Sequence, residues 1–302
     1  MCKLLRTAAT KYEPLLEVLP RKAKELAGRG VDIVQADIND EASLLKAFEG
    51  STAIFGMTDF FEPFVVHGYE KAIEIEATQG KNLARAASKT LTLKHYIWST
   101  LPNGEKLTNG KWRIPHFVAK NIVDDFIKQD KSLLAKTTFF WITFYANNFQ
   151  YPIFTPNLLK TSGKYVQLSS AAADLPIKTI GSPSGNIGIF ALAILKQPHI
   201  TLPGRFVCAH VEDTTTEKLL QDWSAATGKP SEYVEVSLDS FSKIWPGWGQ
   251  EMGSMMKMWD ELRERAWSGE EGILVKEDLG IGDAHFVGVK QAVAEMDWKA
   301  LL

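Results

Sequence analysis

Residues Val31 to Phe60, VDIVQADINDEASLLKAFEGSTAIFGMTDF, admit few folds. Val31, Ile33 and Val34 form a short β-branched run that stops at Asp37. Asp40 is placed to cap a helix carrying Leu44, Leu45 and Phe48 on one face, and Gly50 closes it. Ala53-Ile54-Phe55 is apolar without alternation, the pattern of a strand covered on both faces. Strand, helix and strand in that order predict a βαβ unit and a parallel sheet, whose ligands bind beyond the carboxyl ends of the strands. Asp37-Ile38 and Gly56-Met57-Thr58-Asp59-Phe60 are therefore the first candidates for a binding edge.

Composition narrows the setting. With 302 residues there is room for one large domain or for a core domain and a smaller one. A formal net charge of −2 gives no electrostatic case for nucleic acid or an anionic membrane. No apolar run reaches the roughly 18 residues that span a bilayer. Arg6, Lys11, Glu13 and Glu17 interrupt what would have to be a signal peptide. Two cysteines, Cys2 and Cys208, make no disulfide framework. These features predict a cytoplasmic or nuclear protein.

Before the organising unit, Lys3 to Ala9 reads as a strand and Arg21 to Ala27 as a short helix stopped by Gly28-Arg29-Gly30. After it, helical spacing predicts a helix over 69–89 with Ile73, Ala77, Leu83, Ala84 and Ala87 inward, although Gln79-Gly80 falls mid-run. His95 to Trp98 is the next strand, ending in Ser99-Thr100. A helix over 115–129 follows, with Val118, Ile122, Val123 and Phe126 at helical spacing, and then the strand Thr137 to Phe144. The aromatic and proline-rich segment 145–160 marks entry to a second layer. Later elements are a helix over 183–196, a strand at 205–209, a helix over 215–227 and a strand at 233–237. Domain limits of 1–150 and 151–302 follow, with some later segments adding strands to the first. Met252, Met255, Met256 and Met258 suit packing on an amphipathic helix with Trp259. Five of the nine tryptophans lie beyond Phe241.

No GxGxxG phosphate turn occurs in the chain. Gly181, Gly185 and Gly188 come nearest, at the wrong spacing, and a helix start at Ser182-Pro183 accounts for them equally well. None of the seven tyrosines has a lysine four places on, so the tyrosine–lysine pair of short-chain reductases is absent. His116 does precede Lys120 by four residues, which puts both on one helical face just after a strand end. Lys120 suits a cofactor ribose or a carbonyl, and His116 suits proton donation near neutral pH. A solvated lysine and a helix-starting histidine are the alternative. Tyr145, Asn147 and Asn148 close the next strand, where amide and aromatic groups suit a flat ring or a structural turn alike. The six histidines show no ligand spacing, so no metal site is expected.

With these residues in view, the chain resembles the NmrA-like family of atypical short-chain dehydrogenase/reductase-like proteins. The likeness rests on KAKELAGRGVDIVQADINDEASLLKAFEGSTAIFGMTDFFE, QGKNLARAASK with KHYIWST, PHFVAKNIVDDFIK, FYANNF, ATGKPSEYVEV and WGQEMGSMMKMWDE. It implies a Rossmann-like α/β parallel sheet with a smaller, discontinuous α+β substrate domain, and NADP or NAD as cofactor. By that resemblance Asp37, Ile38, Met57, Thr58, Asp59, Phe60, Ser99, Thr100, Lys120, Tyr145, Asn147 and Asn148 line the cofactor cleft, and Lys120 and His116 carry the chemistry. The implied function is NAD(P)-dependent reduction of a small organic carbonyl or alkene, with secondary metabolism as one setting. An NAD(P)-sensing regulator that docks a partner through its tryptophan-rich half, and a degenerate scaffold, are the alternatives. A protein partner or a homo-oligomer stays open.

The family's opening strand and GATGxxG-type turn have no counterpart here. Either the recorded start falls after them, or Lys3 to Ala9 fills the central place in a 2-1-3-4-5 order. In the second case the glycine-free loop Thr10 to Pro14 stands where the phosphate turn would be, with Thr10-Lys11 where a 2′-phosphate would be read. Weak cofactor affinity is the expectation in both cases.

Overall fold

The structure, a computed structural model, describes the backbone of residues 3–7 and, with side chains, residues 23–299. Strand β1 (Lys3–Thr7) runs parallel to β2 (Asp32–Ala36), and residues 23–28 between them are helical. After α1 (Glu41–Phe48) comes β3 (Ala53–Gly56), and then α2 (Phe61–His67) and α3 (Tyr69–Lys89). β4 (His95–Thr100), α4 (Pro115–Gln129) and β5 (Thr137–Ile142) follow. β3, β4 and β5 are parallel neighbours, and every residue of β5 is buried, as the two-sided cover of a parallel sheet requires.

The fold is α/β and Rossmann-like, as the βαβ pattern demanded. One ordering expectation is corrected. β1 pairs with β2, but among the described residues no ladder joins it to β3, so the 2-1-3-4-5 order is not formed. The loop from Thr10 to Pro14 lies outside the described residues.

The second half supplies β6 (Phe144–Tyr145), β7 (Asn157–Leu159), β8 (Lys164–Ser169), β9 (Pro176–Gly181), α5 (Pro183–Lys196) and β10 (Arg205–Ala209). It continues with β11 (Glu212–Thr215), α6 (Thr216–Thr227), β12 (Ser231–Glu235), α7 (Leu238–Ile244), α8 (Ser254–Leu262) and α9 (Val289–Glu295). β10 returns to the first sheet and lies parallel beside β5, giving the order β10-β5-β4-β3. The remaining strands make two small mixed sheets, β11-β9-β6 and β12-β8-β7.

Packing explains several oddities of the sequence. A Cβ on Gly80 would sit 2.6 Å from Val123 Cγ2 and 3.0 Å from the Trp98 ring, so the mid-helix glycine lets α3 and α4 meet closely over β4. Gly181 ends β9 with φ +64°, and a Cβ there would lie 2.3 Å from the Val287 carbonyl oxygen. Gly185 and Gly188 sit inside α5 facing open space, so this trio is a strand end and a helix face, not a phosphate turn. The tail tryptophans turn inward: Trp259, Trp267 and Trp298 are buried with Trp98, Trp141 and Trp223 in the main core. Trp245 and Trp248 are partly buried against the same core. Met255, Met256 and Met258 are buried in the same core. No helix among the described residues is long and apolar enough to cross a membrane.

Candidate cofactor and active site

The inner face of α3 carries Glu76, and the burial there is complete, at 0% exposed. A carboxylate so placed requires a partner. Lys120 of α4 supplies it, with Nζ 2.9 Å from Glu76 Oε1. The same ammonium donates to Thr58 Oγ1 at 3.0 Å and to the Thr58 carbonyl oxygen at 3.2 Å, and the Thr58 hydroxyl donates to Glu76 Oε1 at 2.7 Å. Lysine has three N–H donors, so all of them are engaged. Nζ also lies 5.7 Å from the centre of the Trp98 ring. Two helices and the loop after β3 are thereby fixed to one another at the carboxyl end of the sheet.

One turn before Lys120, His116 Nδ1 is in hydrogen-bond contact with Glu251 Oε1, and the His116 backbone N–H reaches the same oxygen at 3.3 Å. The rings of Phe60 and Phe61 lie 6.1 and 5.5 Å from the imidazole. His116 and Lys120 therefore both abut the segment from Thr58 to Phe61.

Asn121 and Asp124 of α4 fasten β4. Asn121 donates to the Leu101 carbonyl oxygen at 2.9 Å. Asp124 accepts from Trp98 Nε1 and Thr100 Oγ1, each at 2.8 Å. Burial pushes the Asp124 carboxyl up to about 7 against the pull of these donors.

The other predicted positions are distributed as follows. Asp37 orders its own turn, its Oδ1 accepting from the Asn39 backbone at 2.9 Å. Asn82 of α3 donates to the Ile38 carbonyl oxygen at 3.1 Å, which ties the loop after β2 to the helix that holds Glu76. Met57 stands 61% exposed at the end of β3. Asp59 Oδ1 accepts from the Phe61 N–H at 2.8 Å in the turn that leads into α2, and Phe60 is buried in an aromatic cluster with Phe64. The Thr100 hydroxyl is engaged by Asp124, and Ser99 is half-buried. Tyr145 lies beside Gly181, and burial pushes its phenol up to about 12, which keeps it protonated at neutral pH. Asn147 and Asn148 sit in a 3-10 turn, Ala146–Gln150, and Asn147 Oδ1 is buried with no partner among the described residues. Thr10 and Lys11 lie outside the described residues. The structure thus brings Thr58, Phe60, His116 and Lys120 together by direct contact, whereas Tyr145, Asn147 and Asn148 follow a strand two places along the sheet from β3.

Glu76, Glu251 and Asp124 were missed by sequence reasoning. The available signal was an acid on an otherwise apolar face: Glu76 between Ile73 and Ala77, Asp124 beside Val123, Glu251 between two glycines.

Residues 17–274 match the model of the NmrA-like family. The chain belongs to the NmrA-like family. An NmrA-like family domain-containing oxidoreductase of Aspergillus hancockii is 29% identical over 127 residues, covering 42% of this chain and 36% of that protein. An NmrA-like family domain-containing protein of Dictyostelium discoideum is 27% identical over 228 residues, covering 74% of this chain and 71% of its own. Among solved structures, that of NmrA, a negative transcriptional regulator, in complex with NAD superposes with a TM-score of 0.67 at 18% identity, covering 97% of this chain and 86% of that one. An NADPH-dependent quinone oxidoreductase of Escherichia coli complexed with NADPH gives 0.60 at 16% identity, covering 91% and 87%. At such identities the structural likeness of this NmrA-like chain to both is one of fold.

Proposed function

We propose that this NmrA-like protein binds NADP or NAD along the carboxyl-terminal edge of its central sheet and reduces a small organic carbonyl or alkene. The observation that carries the reading is the placement of Lys120 Nζ 3.0 Å from Thr58 Oγ1, at the end of β3, where a parallel sheet presents its ligand. Family membership supports it, as do the oxidoreductase relative and the nucleotide-bound proteins of the same fold.

The residues present fit the nicotinamide and ribose portion of such a cofactor. Asn147 Oδ1 is a buried acceptor that a carboxamide N–H would satisfy. The longest of the Lys120 bonds, to the Thr58 carbonyl, is the one that a ribose or substrate oxygen would most readily replace. No glycine turn for the pyrophosphate occurs among the described residues, which supports modest affinity. Bound NAD(P)H supplies the hydride. Lys120 orients the ribose or polarises the substrate oxygen, and His116, directly or through water, delivers the proton. Asp37, Ile38, Met57, Thr58, Asp59, Phe60, Ser99 and Thr100 form the floor and rim, and Tyr145, Asn147 and Asn148 flank the ring.

Fluorescence titration with NADPH and NADH tests the binding step; no signal at millimolar cofactor removes the reading. A panel of quinones, aldehydes and enones then tests turnover, with Lys120→Ala expected to abolish it. A second reading, an NAD(P)-sensing protein without catalysis, is favoured by the full engagement of the Lys120 donors. Cofactor binding with no turnover across the panel selects it.

A further inference from the structure

Glu251 lies in a π-helical turn, Gly249–Gly253, and is 1% exposed. Turns of this kind are rare and are frequently found at functional sites. Its flanks leave no room for larger residues. A Cβ on Gly249 would stand 2.3 Å from the Ser242 Cα, and one on Gly253 would stand 2.8 Å from Leu238 Cδ1. Two glycines and an irregular turn therefore bring a carboxylate into an interior of aromatic rings. Taking it out of water is costly, and an apolar side chain of similar volume would often serve stability equally well.

The carboxylate meets one group. Oε1 accepts from His116 Nδ1 and from the His116 backbone N–H, while Oε2 is buried with no partner among the described residues. With Nδ1 donating inward, Nε2 is the outward nitrogen of the ring. Nε2 has no hydrogen bond within the described chain, yet it is not among the buried, unsatisfied atoms. It therefore keeps some access to solvent, in a ring that lies 6.1 and 5.5 Å from those of Phe60 and Phe61. A carboxylate behind Nδ1 fixes the tautomer and the ring plane.

We propose that Glu251 is a positioning residue, acting through His116: it holds Nδ1 protonated and presents Nε2 to the substrate side of the cleft. Nε2 takes up a proton from water and passes it to the substrate while the Nδ1–H to Glu251 bond persists, so the ring returns to its Nδ1-protonated neutral form. This deepens the reading given above and rests on it for the direction of proton transfer. The tautomer itself is independent of turnover.

Nitrogen-15 histidine NMR on the full chain gives the first measurement. The expected result is an exchange-protected, downfield Nδ1–H signal for His116, assigned by its loss in His116→Gln. It should disappear in Glu251→Leu and move upfield in Glu251→Gln, where the bond is no longer charge-assisted. If Glu251→Leu does not fold, Glu251→Gln decides. A His116 protonated on Nε2 alone, or a signal unmoved by Glu251→Gln, overturns the proposal. Where the substrate panel yields turnover, Glu251→Gln should lower kcat at least about tenfold with KM unchanged, since a positioned proton donor contributes roughly 10²–10⁴-fold. An unchanged kcat also overturns it. A wild-type chain with the Nδ1–H signal but no turnover sinks the oxidoreductase reading and leaves the Glu251–His116 geometry standing.

Discussion

Glu76 and Lys120 meet at 2.9 Å across the packed seam of two helices, and Thr58 closes the group by bonding both. The Glu76 side chain is 1% exposed and that of Lys120 12%, so water screens neither well. Removing only the lysine strands a carboxylate inside the protein. Lys120→Met should therefore destabilise by about 3 kcal/mol. The double variant Glu76→Leu/Lys120→Met should recover most of that loss. Urea midpoints of the three proteins check it; additive losses would show that the two charges are independent.

Gly80 gives a prediction that runs against helix propensity. Alanine is the better helix former by about 1 kcal/mol, yet its methyl would press on Val123 and Trp98. Gly80→Ala should lower stability by roughly 1–3 kcal/mol, the usual cost of overpacking. A thermal midpoint above that of the parent would mean that the α3–α4 crossing has slack.

The pH dependence of stability has two opposed contributors in one window. Asp124 titrates at about 7 in the folded protein against an ordinary 3.8. Between those values the folded state binds the extra proton, so this group's contribution falls as pH rises through the window. His95, which burial pushes down to about 4 from 6.5, does the reverse: the unfolded chain binds the proton, and stability rises with pH. Asp124→Asn should remove the first slope and leave the second. Denaturant midpoints between about pH 4.5 and 8 report it, and a parent-minus-variant difference that is flat over that range would refute the assignment.

Burial pushes the Cys208 thiol up to about 12. In a Cys2→Ser background the native protein should not react with a thiol reagent at neutral pH, and reaction should track unfolding in denaturant. Prompt labelling without denaturant would show that β10 opens on its own.

The helices α3, α4 and α5 and the strand β10 were legible in the sequence because each carries a long or clean hydrophobic period. Strands β7, β8 and β9 were not. They are short, and they pair with remote partners, β8 with β12 and β9 with both β6 and β11, so tertiary pairing rather than local pattern decides their form. The helical spacing of Val118, Ile122, Val123 and Phe126 on α4 holds, with all four packed on the core, but the structure also buries His116, Asn121 and Asp124, which that spacing did not include. A hydrophobic pattern cannot flag a polar group buried with its partner. His116 and Lys120 were visible through their spacing alone. Their carboxylates lie 135 and 44 residues away along the chain, beyond any local motif.

The late return of β10 to the border of the first sheet has a consequence for how the molecule acquires its shape. A protein cut near residue 150 would leave the outer rim of β5 with open hydrogen bonds, and Phe139 would lose the ring of Phe206 stacked at 4.6 Å. The two halves are therefore expected to melt in one cooperative step, and separated fragments to regain structure only on recombination; two resolved calorimetric transitions would refute this.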